Sequence, residues 1–269
     1  MMSDETRASE RIERRALETL HEAAPAELKR SLGLESHEVD GVLVSLARRE
    51  PSILLNRALG LGIEQPARRE TVARVASAYR AAGVGRFFFH LHPAARPQDE
   101  IRGWLAAEGL EKYRGWMKFT RGPTPPPAHR CDLNIREIGP EHAEDFGRIA
   151  GAGFGLSAQA SALPAALCGA PGWHLFMAFD GAHPAGTGAL FVEDGIGWTD
   201  WGATDPDFRR RGCQTALLVA RLDKAIALGC RMILTETGEE VPGDPQHSYR
   251  NILKVGFSET QVRENWVPC

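Results

Sequence analysis

The chain has 269 residues, enough for two domains of ordinary size. Hydrophobic residues make up 43% and charged residues 25%, the balance of a globular protein, and a formal net charge of −3 supplies no basic field that would draw it to nucleic acid or anionic lipid. Five cysteines, an odd number without a C-x-x-C pair, argue against a disulfide scaffold or a zinc site and for a reducing compartment. The first residues are polar and lead into a charged helical pattern without the apolar core of a signal peptide. No apolar run is long enough to span a bilayer, so the expected location is cytoplasmic and no membrane partner is expected.

In chain order, a helix ends near Gly83 and an apolar strand follows at 86–91 (RFFFHL). A helix opened by Pro97 comes next, then the pair Gly109-Leu110 and a strand at 113–119. Prolines 123, 125, 126 and 127 stiffen the chain and remove backbone donors, which marks a linker. The expected organisation is a domain over 1–121, a linker over 122–130 and a second domain over 131–269. In the second domain, 133–138 alternates as a strand. Pro140 opens a helix with acids in its first turn, and 157–168 reads as a second short helix. Strands follow at 173–179, 187–192 and 197–204, with a turn at 180–183. A long apolar helix over 212–228 ends at Gly229, then come a strand at 231–236, a helix at 247–254 ending in Gly256-Phe257, and a strand near 261–267. This order predicts a mixed α/β fold with a largely antiparallel start.

The two halves share punctuation. Gly83 and Gly229 lie 146 residues apart, Arg86 and Arg231 145, Gly109 and Gly256 147. Three landmarks at nearly one offset suggest an internal repeat, although α/β segments in general share helix-Gly-strand punctuation.

The segment with most chemical content is 205–215: Asp205-Pro206, then Phe208, three arginines, Gly212, Cys213, Gln214 and Thr215 at the start of the apolar helix. A helix N-terminus has unsatisfied N–H groups and the positive end of the dipole, Gly212 permits close approach, and arginines add charge-assisted bonds, so the segment suits a pyrophosphate. It also reads as a solvated basic turn capping a buried helix. Residues 204–218 resemble motif A of the GNAT acyltransferase superfamily, a strand followed by R/Q-x-x-G-x-G/A and a helix. Arg209 and Gly212 match its first and fourth positions, and Gln214 stands where Gly or Ala is usual. Residues 248–257 resemble the final helix of that family, ending in Gly-Phe. The resemblance covers essentially all of 131–269.

It implies a GNAT-like fold, with the first domain a degenerate second copy in tandem, and direct transfer of an acyl group from acetyl-CoA or another short acyl-CoA to an amine. The main chain at Ala203 and Thr204 would hold the pantetheine arm and steady an oxyanion, and the amides of 211–215 would hold the pyrophosphate, Arg211, Gly212, Cys213, Gln214 and Thr215 each contributing. Asn251 would face the cofactor. A neutral amine must attack, so a proton acceptor is needed. Asp200, sharing a strand face with Trp198 and Gly202, reads as that base, as a substrate anchor, or as an aspartate pairing with an arginine. Glu236 has the same choice. Ile252 stands where many members have a tyrosine acid, and Tyr249, one turn earlier, is its candidate replacement.

Other features carry two readings. His90 and His92 share a strand face and could bind metal, but no further ligand is visible and no metal is expected. Trp173, Trp198 and Trp201 could line an acceptor pocket or pack the core. Cys213 at a helix start could ionise easily but reads better as a small packing residue. In the first half, the counterpart of the phosphate loop falls at 63–67, where Pro66 removes an amide and Glu64 would repel phosphate. The leading expectation is a GNAT-type N-acetyltransferase acting on a small-molecule or protein amine, with a homodimer allowed. The alternatives are a non-catalytic acyl-CoA-binding regulator and a structural protein that binds no CoA.

Overall fold

A computed structural model describes residues 4–269. In chain order its elements are α1 (Asp4–Ala23), α2 (Ala26–Leu32), β1 (Leu34–Val39), β2 (Val42–Ala47), β3 (Arg57–Leu59), α3 (Arg69–Ala81), β4 (Phe88–Leu91), α4 (Gln98–Ala107) and β5 (Leu110–Arg121). Then follow β6 (Asn134–Glu137), α5 (Ala143–Phe154), α6 (Ala162–Ala166), β7 (Trp173–Asp180), β8 (His183–Glu193), β9 (Ile196–Thr204), α7 (Cys213–Ala227), β10 (Met232–Gly238), α8 (His247–Lys254) and β11 (Ser258–Pro268).

The chain forms two compact units, and they are not divided at the proline cluster. Unit 1 holds Met1–His21, Ala26–Met117 and Gln261–Cys269; unit 2 holds Glu22–Pro25 and Lys118–Thr260. These bounds differ from the expected 1–121 and 131–269. The reason is strand pairing: the end of β11 runs antiparallel to β4, with Glu264 opposite Leu91 and Trp266 opposite Phe89, so the last residues complete unit 1. The prolines belong wholly to unit 2, where the Arg121 guanidinium donates to the carbonyls of Thr124 and Val255 and pins the segment down.

In unit 1 the strand order is β1-β2-β3-β4-β11-β5. Sequence periodicity assigns no element between the first helical pattern and the helix before Gly83, yet three strands lie there. Asp40 (φ 48°) and Gly41 (φ 83°) form the turn between β1 and β2, the positive dihedrals that an Asp-Gly hairpin favours. Helix α3 buries Val72, Val75, Ala76 and Tyr79, spaced three or four apart, against Phe87, Phe89 and Leu91. Tyr79 stacks on Phe87 at 4.1 Å and donates its hydroxyl to the Ser45 carbonyl.

Unit 2 has the order β10-β9-β8-β7-β6, antiparallel from β6 to β9, in line with the expected antiparallel start, and parallel between β9 and β10. The ladder carries β7 to Asp180 and starts β8 at His183, longer than alternation alone suggests. The helix expected over 157–168 contracts to α6, and Gly147 and Gly151 of α5 lie close against Ser161 and Ala165. The repeat has structural counterparts: α3-β4-α4-β5 and α7-β10-α8-β11 share order and spacing. Gly83 and Gly229 follow their helices at φ 72° and 75°, and Gly109 and Gly256 at φ 73° and 90°. No helix among the described residues is long and apolar enough to cross a membrane.

Candidate functional site

The parallel ladder between β9 and β10 runs only from Met232↔Ile196 to Leu234↔Trp198. Beyond that point Thr235 Oγ1 donates to the Thr199 carbonyl at 3.2 Å in place of a further ladder pair. The parallel ladder therefore does not extend over the second half of β9. On its other edge β9 carries a bulge, the register against β8 slipping between Thr187↔Ala203 and Ala189↔Asp200. Trp201 sits at φ 50°, a left-handed value unusual for a bulky residue.

The bulge is held by specific groups. Asp200 Oδ1 accepts from the Trp201 amide at 2.7 Å, and Oδ2 accepts from Trp198 Nε1 at 3.3 Å. Thr187 Oγ1 donates to the Trp201 carbonyl at 3.0 Å. Arg221 of α7, only 4% exposed, donates through Nη1 to the Asp200 carbonyl at 3.0 Å. Burial lowers the Arg221 pKa to about 10, with the Asp200 charge opposing. Ala203 packs its Cβ under α5, where a Cβ on Gly153 would approach it to 2.5 Å. What Ala203 has to offer the split is its main chain.

At the end of β9, Asp205 accepts from the Asp207 amide, and the chain turns through a short 3-10 segment into α7. Arg210 (φ 64°) and Gly212 (φ 79°) are both left-handed, and Gly212, as the N-cap of α7, supplies no capping side chain to the first-turn amides. A Cβ at Gly212 would collide with the Arg130 carbonyl, so glycine is needed for both its dihedral and its space. Arg209 and Arg210 are exposed.

Several expected ligands are placed otherwise. The Arg211 guanidinium is held by Asp132 and Asp180 at 2.7–3.3 Å, so its charge fastens the loop to the strands and only its amide remains for a ligand. Asn251 does not present a free amide: Nδ2 donates to Gln214 Oε1 at 2.7 Å, and Oδ1 accepts from Thr215 Oγ1 at 3.4 Å. Gln214 Nε2 donates to Ser248 Oγ at 3.0 Å, so the residue that departs from the family pattern ties the start of α7 to α8. Cys213 is buried in an apolar cluster with Leu133, Phe176 and Leu217, and burial raises its thiol to about 11, away from reactivity.

The acid and base candidates separate. Asp200 serves the bulge. The Tyr249 hydroxyl donates to Glu259 Oε1 at 2.7 Å, and burial, with that carboxylate, pushes its pKa up, so it is turned away from the role of a ready acid. Glu236 lies at the mouth of the split, its side chain 12% exposed, 3.1 Å from the fully buried Lys118 ammonium. Lys118 also stands 4.7 Å from the centre of the Trp198 ring. The three tryptophans are core residues, 2–6% exposed; Trp173 rests on Phe191 and Trp201 on Phe154. In unit 1, His90 is buried with Nδ1 2.7 Å from Asn265 Oδ1, and His92 accepts from the Ala94 amide. Among the described residues no group of three or more His, Cys, Asp or Glu side chains could hold a metal ion.

Sequence reasoning does not single out Arg221 or Lys118. The signal for Arg221 is a charge on the buried stripe Leu217-Arg221-Ala225 of α7, spaced by four. The signal for Lys118 is weaker, a lysine between Met117 and Phe119 in a strand.

This architecture has counterparts among solved structures. The chain is similar to a GCN5-related N-acetyltransferase from Kribbella flavida, with a TM-score of 0.65 at 14% identity over 97% of this chain and 95% of that one. The chain has the GNAT fold. A second GCN5-related N-acetyltransferase, from Sphaerobacter thermophilus, gives a TM-score of 0.56 at 18% identity over 74% of this chain and 65% of that one. A tandem GNAT protein from the clavulanic acid biosynthesis pathway gives 0.53 at 15% identity over 74% and 68%. No family model and no curated protein matches the sequence. Within the GNAT fold, the parting of β9 and β10 and the start of α7 fall in unit 2.

Proposed function

We propose that unit 2 is an acyl-CoA-dependent N-acyltransferase, with acetyl-CoA or another short acyl-CoA as donor and an amine as acceptor. The observation that carries this is the split after Trp198↔Leu234, with a left-handed loop and an α7 start that lacks a capping side chain following the same strand. The first-turn amides from Gly212 to Thr215 supply a positive helix end for the pyrophosphate, and exposed Arg209 and Arg210 add charge beside it. The main chain of β9 at Ala203 and Thr204 offers amides and carbonyls to a pantetheine arm, which is itself amide-rich.

In the transfer, the amine nitrogen attacks the thioester carbon and the C–S bond breaks. The amine gives up one proton, and the departing thiolate takes one up. The thioester is already activated, so most of the rate comes from positioning and from N–H groups aimed at the oxyanion. We assign proton acceptance to Glu236, which follows the last paired residue of β10 by two and has the Lys118 ammonium 3.1 Å away, whereas the Asp200 carboxylate holds the Trp201 amide and the Tyr249 hydroxyl is given to Glu259. Unit 1 is read as a second copy without cofactor. A non-catalytic acyl-CoA-binding regulator is the second reading, favoured by the engagement of Tyr249.

Titration calorimetry with CoA, followed by thiol release from acetyl-CoA across a panel of small amines, peptides and amino acids, tests the proposal. Binding with acceptor-dependent thiol release is expected. Binding without release from any acceptor supports the regulator, and no binding overturns both.

A further inference from the structure

The guanidinium of Arg221 is an expensive group to bury. Its Nε donates to the Leu217 carbonyl one turn back at 3.1 Å, and Nη1 donates to the carbonyls of Asp200 at 3.0 Å and Ala189 at 3.5 Å. Its direct acceptors are thus main-chain carbonyls, and Asp200 acts on it through charge at longer range. Desolvating a cation for such partners costs more than an apolar side chain of the same volume would, and replacing buried charges with apolar residues is often neutral or stabilising. Two glycines make room for it. A Cβ on Gly188 would lie 2.7 Å from Nε and 2.9 Å from Cζ, and one on Gly202 would lie 3.5 Å from Nη2. Gly188 lies in the register slip opposite the bulge, and Gly202 is in the bulge. At the repeat offset of 146 residues, the counterpart of Arg221 in α3 is Val75, fully buried in the apolar core of unit 1. The fold therefore does not require a cation at this place.

We infer that Arg221 is a positioning residue that sets the bulge of β9 so that the main chain after Trp201 presents its amides to the acyl-pantetheine arm. The guanidinium ties the Asp200 carbonyl to α7, and the Asp200 carboxylate ties the Trp201 amide. Together they hold Trp201 in a left-handed conformation that a bulky residue seldom keeps unaided. Arg221 lies eight residues into α7, about 12 Å along the axis from its first turn at 1.5 Å per residue. Its effect should fall on the pantetheine end of the ligand and spare the nucleotide end.

The inference rests on unit 2 binding acyl-CoA, and the test separates the two claims. Arg221→Met and Arg221→Lys in the full chain are compared with wild type in two titrations, one with CoA and one with adenosine 3′,5′-bisphosphate, which lacks the arm. Hydrogen exchange at 201–203 is followed alongside. For Arg221→Met we expect CoA affinity to fall about tenfold, the bisphosphate to bind within twofold, the melting temperature to hold or rise, and exchange at 201–203 to quicken at least tenfold. Arg221→Lys should recover part of the CoA affinity. Gly188→Ala, which crowds the guanidinium without changing its charge, should reproduce the exchange change if Arg221→Met does not fold. Equal loss of both ligands, or no loss of either together with unchanged exchange, overturns the inference. If wild type binds neither ligand, the acyl-CoA reading fails, and unchanged exchange in Arg221→Met then sinks the bulge assignment on its own.

Discussion

Helices α3 and α7 follow the same plan and end at matching left-handed glycines, but their units treat the loop before each helix in opposite ways. In unit 1 the loop after β3 is sewn to the loop after β4: the Arg96 amide donates to the Gly62 carbonyl at 3.0 Å, and the Ala67 amide donates to the Arg96 carbonyl at 2.7 Å. Gly62 lies so close that a Cβ there would sit 2.8 Å from the Arg96 nitrogen. Beside the start of α3 the Asp40 carboxylate accepts from Thr71 Oγ1 at 2.8 Å and pairs with Arg74 at 3.0 Å, so a negative charge stands next to first-turn amides that no side chain caps. Glu64 is turned to Arg7. In unit 2 the ladder stops at Trp198, and α7 begins on a glycine that brings no side chain to cap it. Unit 1 closes its loop by main-chain bonds and sets a carboxylate of its own beside the start of α3. The other keeps amides and a split that a ligand can use.

That contrast can be broken first at Gly212. Gly212→Asp adds a Cβ where the Arg130 carbonyl stands and a negative charge at the helix start, and CoA affinity should fall at least 100-fold by calorimetry. Glu64→Ala in unit 1 should leave the same affinity within twofold. Comparable losses from both changes would remove the distinction between the copies.

The inward charges of unit 1 give the next effect. Glu13 accepts from Arg57 at 2.9 Å and from Arg263 at 2.5 and 2.9 Å, all three side chains buried. Glu13→Gln removes the charge that two buried guanidinium groups share, at a cost of about 3–5 kcal/mol to unit 1. Hydrogen exchange resolved by unit should show unit 1 opening while the strands of unit 2 keep their protection; uniform loss would contradict the internal accounting.

Acid should act on the same unit. Burial, with the charges of Lys29 and Arg57, lowers His21 to about 4. Its folded pKa lies below its unfolded value near 6.5, so the unfolded chain binds more protons between these limits, and stability falls as pH drops from about 6.5 to 4. The loss from His21 is about 3 kcal/mol, read as a falling urea midpoint that His21→Gln should flatten. The smallest effect belongs to Tyr249→Phe. With its hydroxyl given to Glu259, thiol release should change by less than about threefold, and a much larger loss would restore Tyr249 as an acid.

Much of this arrangement was legible in local sequence. Helix ends at Gly83 and Gly229, the loop at Gly212 and the closing Gly256 each mark a conformation that few other residues adopt, so they survive as landmarks without any tertiary information. The Asp40-Gly41 hairpin carried a comparable signal. What local pattern could not reveal was nonlocal pairing. The last strand alternates like any other, yet Arg263, Glu264 and Asn265 find their partners at Glu13, Arg102 and His90, far back in the chain. The bulge at Trp201 has the same character. Its causes are a carboxylate next door and a guanidinium from α7, and neither alters the periodicity of β9.

If unit 2 binds CoA and unit 1 does not, the stoichiometry of CoA binding must show it. Calorimetry on the full chain should give one CoA per chain, and Gly212→Asp should remove that single site. Two sites per chain, or one site that survives Gly212→Asp, would show that the start of α7 is not the sole CoA site.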